Sequence, residues 1–308
     1  MSGIAYTVAL CTHNHADRLE RTLGDLPHIR PPEASWEFLV VDNASQDGTP
    51  ELLATHAWPE GWSVRVVREE KLGIANARNR ATIEARGEYL IFMDDDETAD
   101  PDWLRAFERL IREHTPDAFG GRIRVSFEDP RPDWLTDELL GFLGELHWGD
   151  EIKPLSDPAT KVYTGNFGFR RAICDAIGYF DVTLGRRGND NYGGEDVDFY
   201  RRILQGGFKV WWTPEAIIHH RIQMAKLNRA YFLDLHYRQG RMEAIRRRGQ
   251  GSRVPPSYLY GQLLRAIAAA WDVYRKAGRN ATLRKEMNVT YFLGLISGWA
   301  FGPRPGGG

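Results

Sequence analysis

In the first third of the chain, apolar residues gather in short segments, at residues 6–11, 36–41, 63–68 and 89–93. Segments of that length predict strands, and the last, apolar on every position, predicts one covered on both faces. Between them, apolar positions recur at helical spacing over residues 16–26, from Pro50, and over residues 71–85. Strand and helix alternate with no hairpin signal, which predicts right-handed βαβ units in an α/β fold with one mostly parallel sheet flanked by helices. Further on the pattern predicts a helix over 101–113, a strand over 119–127 and a helix over 171–177. Another helix opens at Gly193-Gly194 and ends at Gly206-Gly207. Two short strands, 209–212 and 216–219, flank Thr213-Pro214, and helices follow over 224–248, 256–276 and 281–299. Residues 128–161 carry no period and predict a loop or short helices over a cleft.

The polar residues that end these runs carry the candidate chemistry. In an open α/β sheet, ligands bind beyond the carboxyl ends of the strands. The run at 89–93 ends there in Asp94-Asp95-Asp96-Glu97. Adjacent carboxylates repel one another unless a hard divalent cation neutralises them, so the cluster points to a metal site. The alternative is a solvated acidic turn, with Asp100 as N-cap and Pro101 opening the next helix. Thr12-His13-Asn14 follows the first strand, where such side chains cap a helix or bind a ligand. Asp42 ends the second strand and begins a polar loop to Pro50, with Thr49 as the expected N-cap. Arg78 can reach the same end of the sheet, where its planar fork suits a base, phosphate or carboxylate. No Gly-x-Gly-x-x-Gly follows the first strand and no Walker-type loop is present. A phosphate would therefore be held through metal and side chains. Three acids stand in the first turn after Gly194, where the helix dipole keeps a carboxylate ionised.

Val40-Val41-Asp42-Asn43-Ala44-Ser45-Gln46-Asp47-Gly48-Thr49, then Gly73 with Ala77-Arg78-Asn79, then Phe92-Met93-Asp94-Asp95-Asp96 resemble, in that order, the family 2 glycosyltransferases of GT-A fold. The resemblance implies an inverting transferase that uses a nucleoside diphosphate sugar, with UDP-sugar favoured. It makes Thr12, Asn14, Asp42, Gly73, Arg78, Asp94 and Asp95 donor-binding, and Asp94-Asp95-Asp96 an Asp-x-Asp motif. With His220, Asp94 and Asp96 would hold Mn²⁺ or Mg²⁺. His219 would face away from His220, because neighbours on a strand alternate. Glu195-Asp196 resembles the family's Glu-Asp pair, with Asp196 as the base that deprotonates the acceptor and Glu195 as its support. Thr164-Gly165-Asn166-Phe167-Gly168-Phe169 resembles the acceptor side, making Gly165 and Asn166 acceptor-binding. Trp148, among Trp134, Phe142 and His147, would either stack on an acceptor sugar or anchor the irregular segment. The acceptor would be a glycan or a lipid-linked sugar.

Composition refines this picture. The chain has 308 residues, 42 % hydrophobic and 12 % aromatic, enough for one large domain with an appendage. A catalytic domain is expected over 1–222, donor half 1–127 and acceptor side 128–222. A helical segment follows over 223–301, then a flexible tail over 302–308. Cys11 and Cys174 lie in apolar surroundings, and Met1-Ser2-Gly3-Ile4 is no signal peptide, which predicts a reducing, cytoplasmic setting. The net charge of −2 is unevenly spread. From Arg241 onward, 12 Lys and Arg stand against three acids, a local +9 that leaves −11 on the rest. A basic C-terminal segment could dock on the body or meet an anionic membrane surface peripherally. An acidic body argues against nucleic-acid binding. A sugar-phosphate nucleotidyltransferase would want a glycine-rich basic loop after the first strand, which Cys11-Thr12-His13-Asn14-His15 is not. A non-catalytic binding subunit would have no need of both acid clusters.

Overall fold

The computed structural model describes residues 3–157, 159–185, 193–249 and 251–302. It contains two compact units. The first comprises Met1–Ser126 and Gly144–Arg221; the second comprises Phe127–Leu143 and Ile222–Gly308. Residues 127–143, expected on the acceptor side, therefore belong with the C-terminal helices. Most of the expected tail lies outside the described residues.

In the first unit the strands are β1 (Tyr6–Thr12), β2 (Trp36–Asp42), β3 (Val64–Arg68), β4 (Tyr89–Asp94), β5 (Glu97–Ala99), β6 (Ala118–Phe127), β7 (Lys153–Leu155), β8 (Phe167–Arg170) and β9 (Val210–Ile222). They form one sheet in the order β3-β2-β1-β4-β8-β6-β9-β5, with β7 also on β9. The half from β3 to β4 is parallel, as the alternating pattern requires. Beyond β4 the pairs β4-β8, β6-β8, β7-β9 and β5-β9 are antiparallel. Periodicity alone does not disclose that half, because its partners are distant in sequence. The expected strands 209–212 and 216–219 are one continuous strand. Residues 210–212 pair with β7 and 218–220 with β5, so Pro214 falls between two ladders.

Helices α1 (Ala16–Asp25), α2 (Thr49–Thr55), α3 (Ile74–Glu84), α4 (Trp103–His114), α5 (Ile173–Ile177) and α6 (Glu195–Gln205) belong to this unit. Successive residues of each strand serve opposite layers. Ala9, Leu39, Leu90 and Phe92 pack with α3 and α6 through Ala77, Ala81 and Phe199. Val8, Leu10, Val40, Ile91 and Met93 pack with α1 and α4 through Leu19, Leu23, Trp103 and Phe107. Both faces of β1, β2 and β4 are covered, which is why these strands read as mostly apolar runs, while the edge strand β3 keeps Arg65 and Arg68. Helix α1 does not end at Pro27 outright but tightens into a 3₁₀ turn, Leu26–His28. Helix α4 starts two residues later than Pro101, with Asp102 in the N-cap position but its carboxylate paired with Arg30.

The second unit contains α7 (Arg229–Arg248), α8 (Tyr258–Ala277) and α9 (Leu283–Phe301). Ala244, Leu259 and Leu295 form its small core, with Tyr291, Phe292, Ile296 and Trp299 against them. Trp134 sits edge-on to Phe232 at 5.7 Å and Phe142 edge-on to His236 at 4.8 Å. These contacts tie residues 127–143 to α7, so Trp134 and Phe142 anchor this segment. Among the described residues no helix is long and apolar enough to cross a membrane.

Candidate active site

The carboxyl ends of β1, β2 and β4 lie side by side, in register Thr12↔Asp42 and Cys11↔Asp94. That adjacency collects the polar residues ending three apolar runs. Asp42 is buried; its Oδ1 accepts the Ser45 amide at 3.0 Å and its Oδ2 accepts from Arg68. Asn14 adopts φ 51° and accepts the Gln46 amide at 2.7 Å, which locks the β1 and β2 loops together. Asn43 donates to the carbonyls of Glu69 and Lys71 and accepts the Gly73 amide at 2.8 Å. This holds the loop into α3, where Gly73 takes φ 134°, open to glycine only.

The acid cluster divides by function. Asp95 is turned inward, where it accepts the Thr12 hydroxyl at 2.6 Å and lies 2.9 Å from His15 Nδ1. Thr12 and Asp95, both expected to bind donor, thus hold each other. Glu97, the fourth acid, is buried and accepts the Asp94 amide at 2.8 Å. Burial and the neighbouring Asp94 push its carboxyl well above the usual range. Asp94 and Asp96 remain directed at the site. The Asp94 side chain keeps 40 % of its surface open, yet it sits deep enough for burial to raise its pKa. Arg78 opposes that rise, and Asp96 and Asp95 add to it. Asp96 Oδ2 stands 3.5 Å from His220 Nε2, while His219 pairs with Asp100 at 2.8 Å on the opposite side of the strand. Arg221 binds Asp25, Thr22 and Thr98, which fixes the strand that carries His220.

Arg78 connects the two acid groups. The buried guanidinium donates to Glu195 and stands 3.6 Å from Asp94 Oδ1, with the Phe180 ring 6.0 Å away. Glu195 lies at the start of α6, and its Oε2 has no hydrogen-bond partner among the described residues. The neighbouring Asp196 is half-buried. Burial and the Glu195 charge push its carboxyl from 3.8 up to about 6, against Arg78 and the Val197 amide. The expected dipole effect is therefore outweighed: this carboxyl is less acidic than an exposed aspartate. Burial raises the Tyr163 phenol, and the Asp196 charge adds to that.

Two expected acceptor residues serve the scaffold instead. Asn166 is fully buried; it accepts from Trp103 Nε1 and donates to the carbonyls of Arg122 and Ala216, each at 2.8 Å. Those bonds use both amide hydrogens and one of the two lone pairs of the oxygen. Gly165 does allow a close approach, but by the Glu97 carboxylate, which a Cβ would strike. Trp148 packs on the core and donates to the Lys161 carbonyl at 2.7 Å, anchoring its loop. Both cysteines are free and buried, with thiols that burial pushes up to about 12.

The donor set of Asp94, Asp96 and His220 suits Mn²⁺ or Mg²⁺ chemically, two hard carboxylates and an imidazole. Among the described residues no three such side chains are already gathered into a cage. Burial raises Asp94 first, and the repulsion from Asp96 and Asp95 that adds to it is what a cation would relieve. Asn43, His15 and Arg68 were given no role of their own by the sequence, and Glu97 only a place in the acid cluster. Only the adjacency of Glu97 and Asn43 to Asp96 and Asp42 hinted at them, whereas His15 and Arg68 meet their acids through the fold.

The profile of glycosyl transferase family 2 matches residues 7–178. The succinoglycan biosynthesis protein ExoM of Rhizobium meliloti is 26 % identical over 76 % of this chain and 72 % of its own. A glucosyl-dolichyl phosphate glucuronosyltransferase of Haloferax volcanii is 25 % identical over 50 % of this chain and 49 % of its own. Among solved structures, the mannosyltransferase PcManGT of Pyrobaculum calidifontis, in complex with GDP-Man and Mn²⁺, superposes with a TM-score of 0.57. It is 19 % identical over 96 % of this chain and 86 % of that one. Residues 1–349 of S. aureus TarS, in complex with UDP-GlcNAc, give a TM-score of 0.55 at 16 % identity over 96 % and 91 %. These structures share the GT-A fold of the first unit.

Proposed function

The chain belongs to glycosyl transferase family 2 and is a glycosyltransferase, and on that premise we propose a metal-dependent inverting reaction. A sugar passes from a nucleoside diphosphate sugar, UDP-linked in the first instance, to a hydroxyl of a glycan or lipid-linked acceptor. The observation that carries the reading is Arg78, bonded to Glu195 and 3.6 Å from Asp94, which brings the acids at the end of β4 and the acids of α6 to one place. A single displacement needs a leaving-group end and a base end facing one another. The lipid-linked acceptor class draws support from the Haloferax relative, whose name specifies a dolichyl phosphate.

Asp42, held by Arg68 and Ser45, would accept from the base or ribose of the nucleotide, and Asn14, Gly73 and the Thr12–Asp95 pair would shape the surrounding pocket. Asp94, Asp96 and His220 would hold Mn²⁺ or Mg²⁺, whose charge would offset that of the departing diphosphate. Asp196 takes the proton from the acceptor hydroxyl as its oxygen attacks the anomeric carbon. Glu195, pinned by Arg78, keeps Asp196 in place and raises its basicity.

Chelation should abolish transfer, added Mn²⁺ or Mg²⁺ should restore it, and Asp96→Asn should remain inactive with its fold intact. An α-linked donor should give a β-glycoside by NMR. Transfer that persists under chelation removes the metal from the mechanism, and a retained anomer removes the single displacement.

A further inference from the structure

Helix α8 has an apolar face that transfer chemistry does not use. On one side it buries Leu259 against Ala244 of α7 and Leu295 of α9. On another side Tyr260, Leu264, Ile267, Trp271 and Tyr274 recur at spacings of four, three, four and three, which makes a single stripe along the helix. All five are exposed, from 47 to 67 %. Exposed large apolar side chains are ordinary when scattered, but a continuous row marks a surface that meets something apolar. Arg265, Arg275 and Lys276 lie on the same helix, and Arg253 and Arg279 lie just beyond its ends. The helix has one acid, Asp272, and it is paired with Lys276 at 2.7 Å.

We propose that α8 lies flat in the interface of an anionic bilayer, with the stripe inserted at the boundary of headgroups and acyl chains and the basic residues on lipid phosphates. Two features favour lipid over a second copy of this chain. In a symmetric dimer the same patch meets itself, which would bring Arg275, beside Tyr274 at the edge of the stripe, into the interface with no free acid of the helix to meet it. Anionic headgroups attract the basic residues of the segment instead. Secondly, Tyr260, Trp271 and Tyr274 combine an apolar ring with a polar edge, the chemistry that suits a boundary between hydrocarbon and water. Contact is along the surface, since no described helix is long and apolar enough to cross.

The test is flotation of the full chain with vesicles, which involves no sugar transfer and is independent of the reading above. The protein should float with vesicles containing about a third phosphatidylglycerol and not with pure phosphatidylcholine, and about 0.5 M NaCl should release it. The surface variant Leu264→Gln/Trp271→Gln, with an unchanged melting temperature, should lower the bound fraction at least about tenfold, as expected when two inserted apolar side chains are lost. Arg275→Glu/Lys276→Glu should do the same on anionic vesicles while leaving the stripe intact. Equal flotation with both vesicle types, or none with either, overturns the proposal. So does a halving of the solution mass in the Leu264→Gln/Trp271→Gln variant with flotation unchanged, which would put a second copy on the stripe.

Discussion

Asp196 stands in the first turn of α6, where the helix dipole favours the ionised form, yet burial beside Glu195 leaves it at about 6. A base works best with a pKa near the working pH, so this displacement suits proton transfer better than an ordinary aspartate would. The sign follows directly. The carboxylate must be ionised to accept a proton, so kcat/KM should hold above neutrality and fall as pH drops through about 6. Asp196→Asn should lower kcat by about 10² to 10⁴-fold with donor affinity nearly unchanged, and should erase that acid limb. A variant as active as the parent, or an acid limb that survives the substitution, would transfer the base role to another group. At this scale Asp42 and Asp94 stood out because they end buried strands, and Asp196 because three acids crowd one helix start, although the helix dipole by itself favours acids there. Asn166 was not legible. Its sequence neighbourhood looks ligand-facing, and only the positions of Trp103, Arg122 and Ala216 reveal where its amide is engaged.

Between elements, α7 and α9 meet through glycines. A Cβ on Gly294 would strike the Tyr237 carbonyl, one on Gly240 the Tyr291 carbonyl, and one on Gly298 the Arg241 carbonyl, each closer than any real contact. The helices therefore approach backbone to backbone over two turns. Gly294→Ala gains about 1 kcal/mol of intrinsic helix preference. It also forces the pair apart, and overpacking of this kind costs about 1–3 kcal/mol. Because the obstacle is backbone rather than a movable side chain, the cost should prevail and the melting temperature should fall, with donor binding unaffected. A variant with an equal or higher melting temperature would show that the helices do not pack this closely. Helical periodicity predicted α7 and α9 but not this contact, since a glycine within a helix reads first as a weakness. The same limit applies to β9, where Pro214 reads as a break and the sheet accommodates it between two ladders.

For the whole molecule, the residues proposed to bind the nucleotide all belong to the first unit, so the ligand should stabilise that unit. In the presence of Mn²⁺, a saturating UDP-sugar at about 100 times its Kd adds about 2.7 kcal/mol. For a unit of this size that corresponds to a rise of about 5–10 °C in melting temperature. A rise confined to a GDP-sugar would reverse the preference for UDP and reassign what Asp42 reads. The sequence by itself determined the parallel half of the sheet, the covering helices, the family and the order of its motifs. Burial on both faces and helical period are local patterns, written over a few residues each. Only the tertiary structure decided which acids share a site and which support it. Thr12 meets Asp95 across 83 residues and Arg78 meets Glu195 across 117. No local pattern encodes such distances, because each partner has the same composition and spacing whether or not the other is there; the register of strands and the packing of α3 against the sheet bring them together.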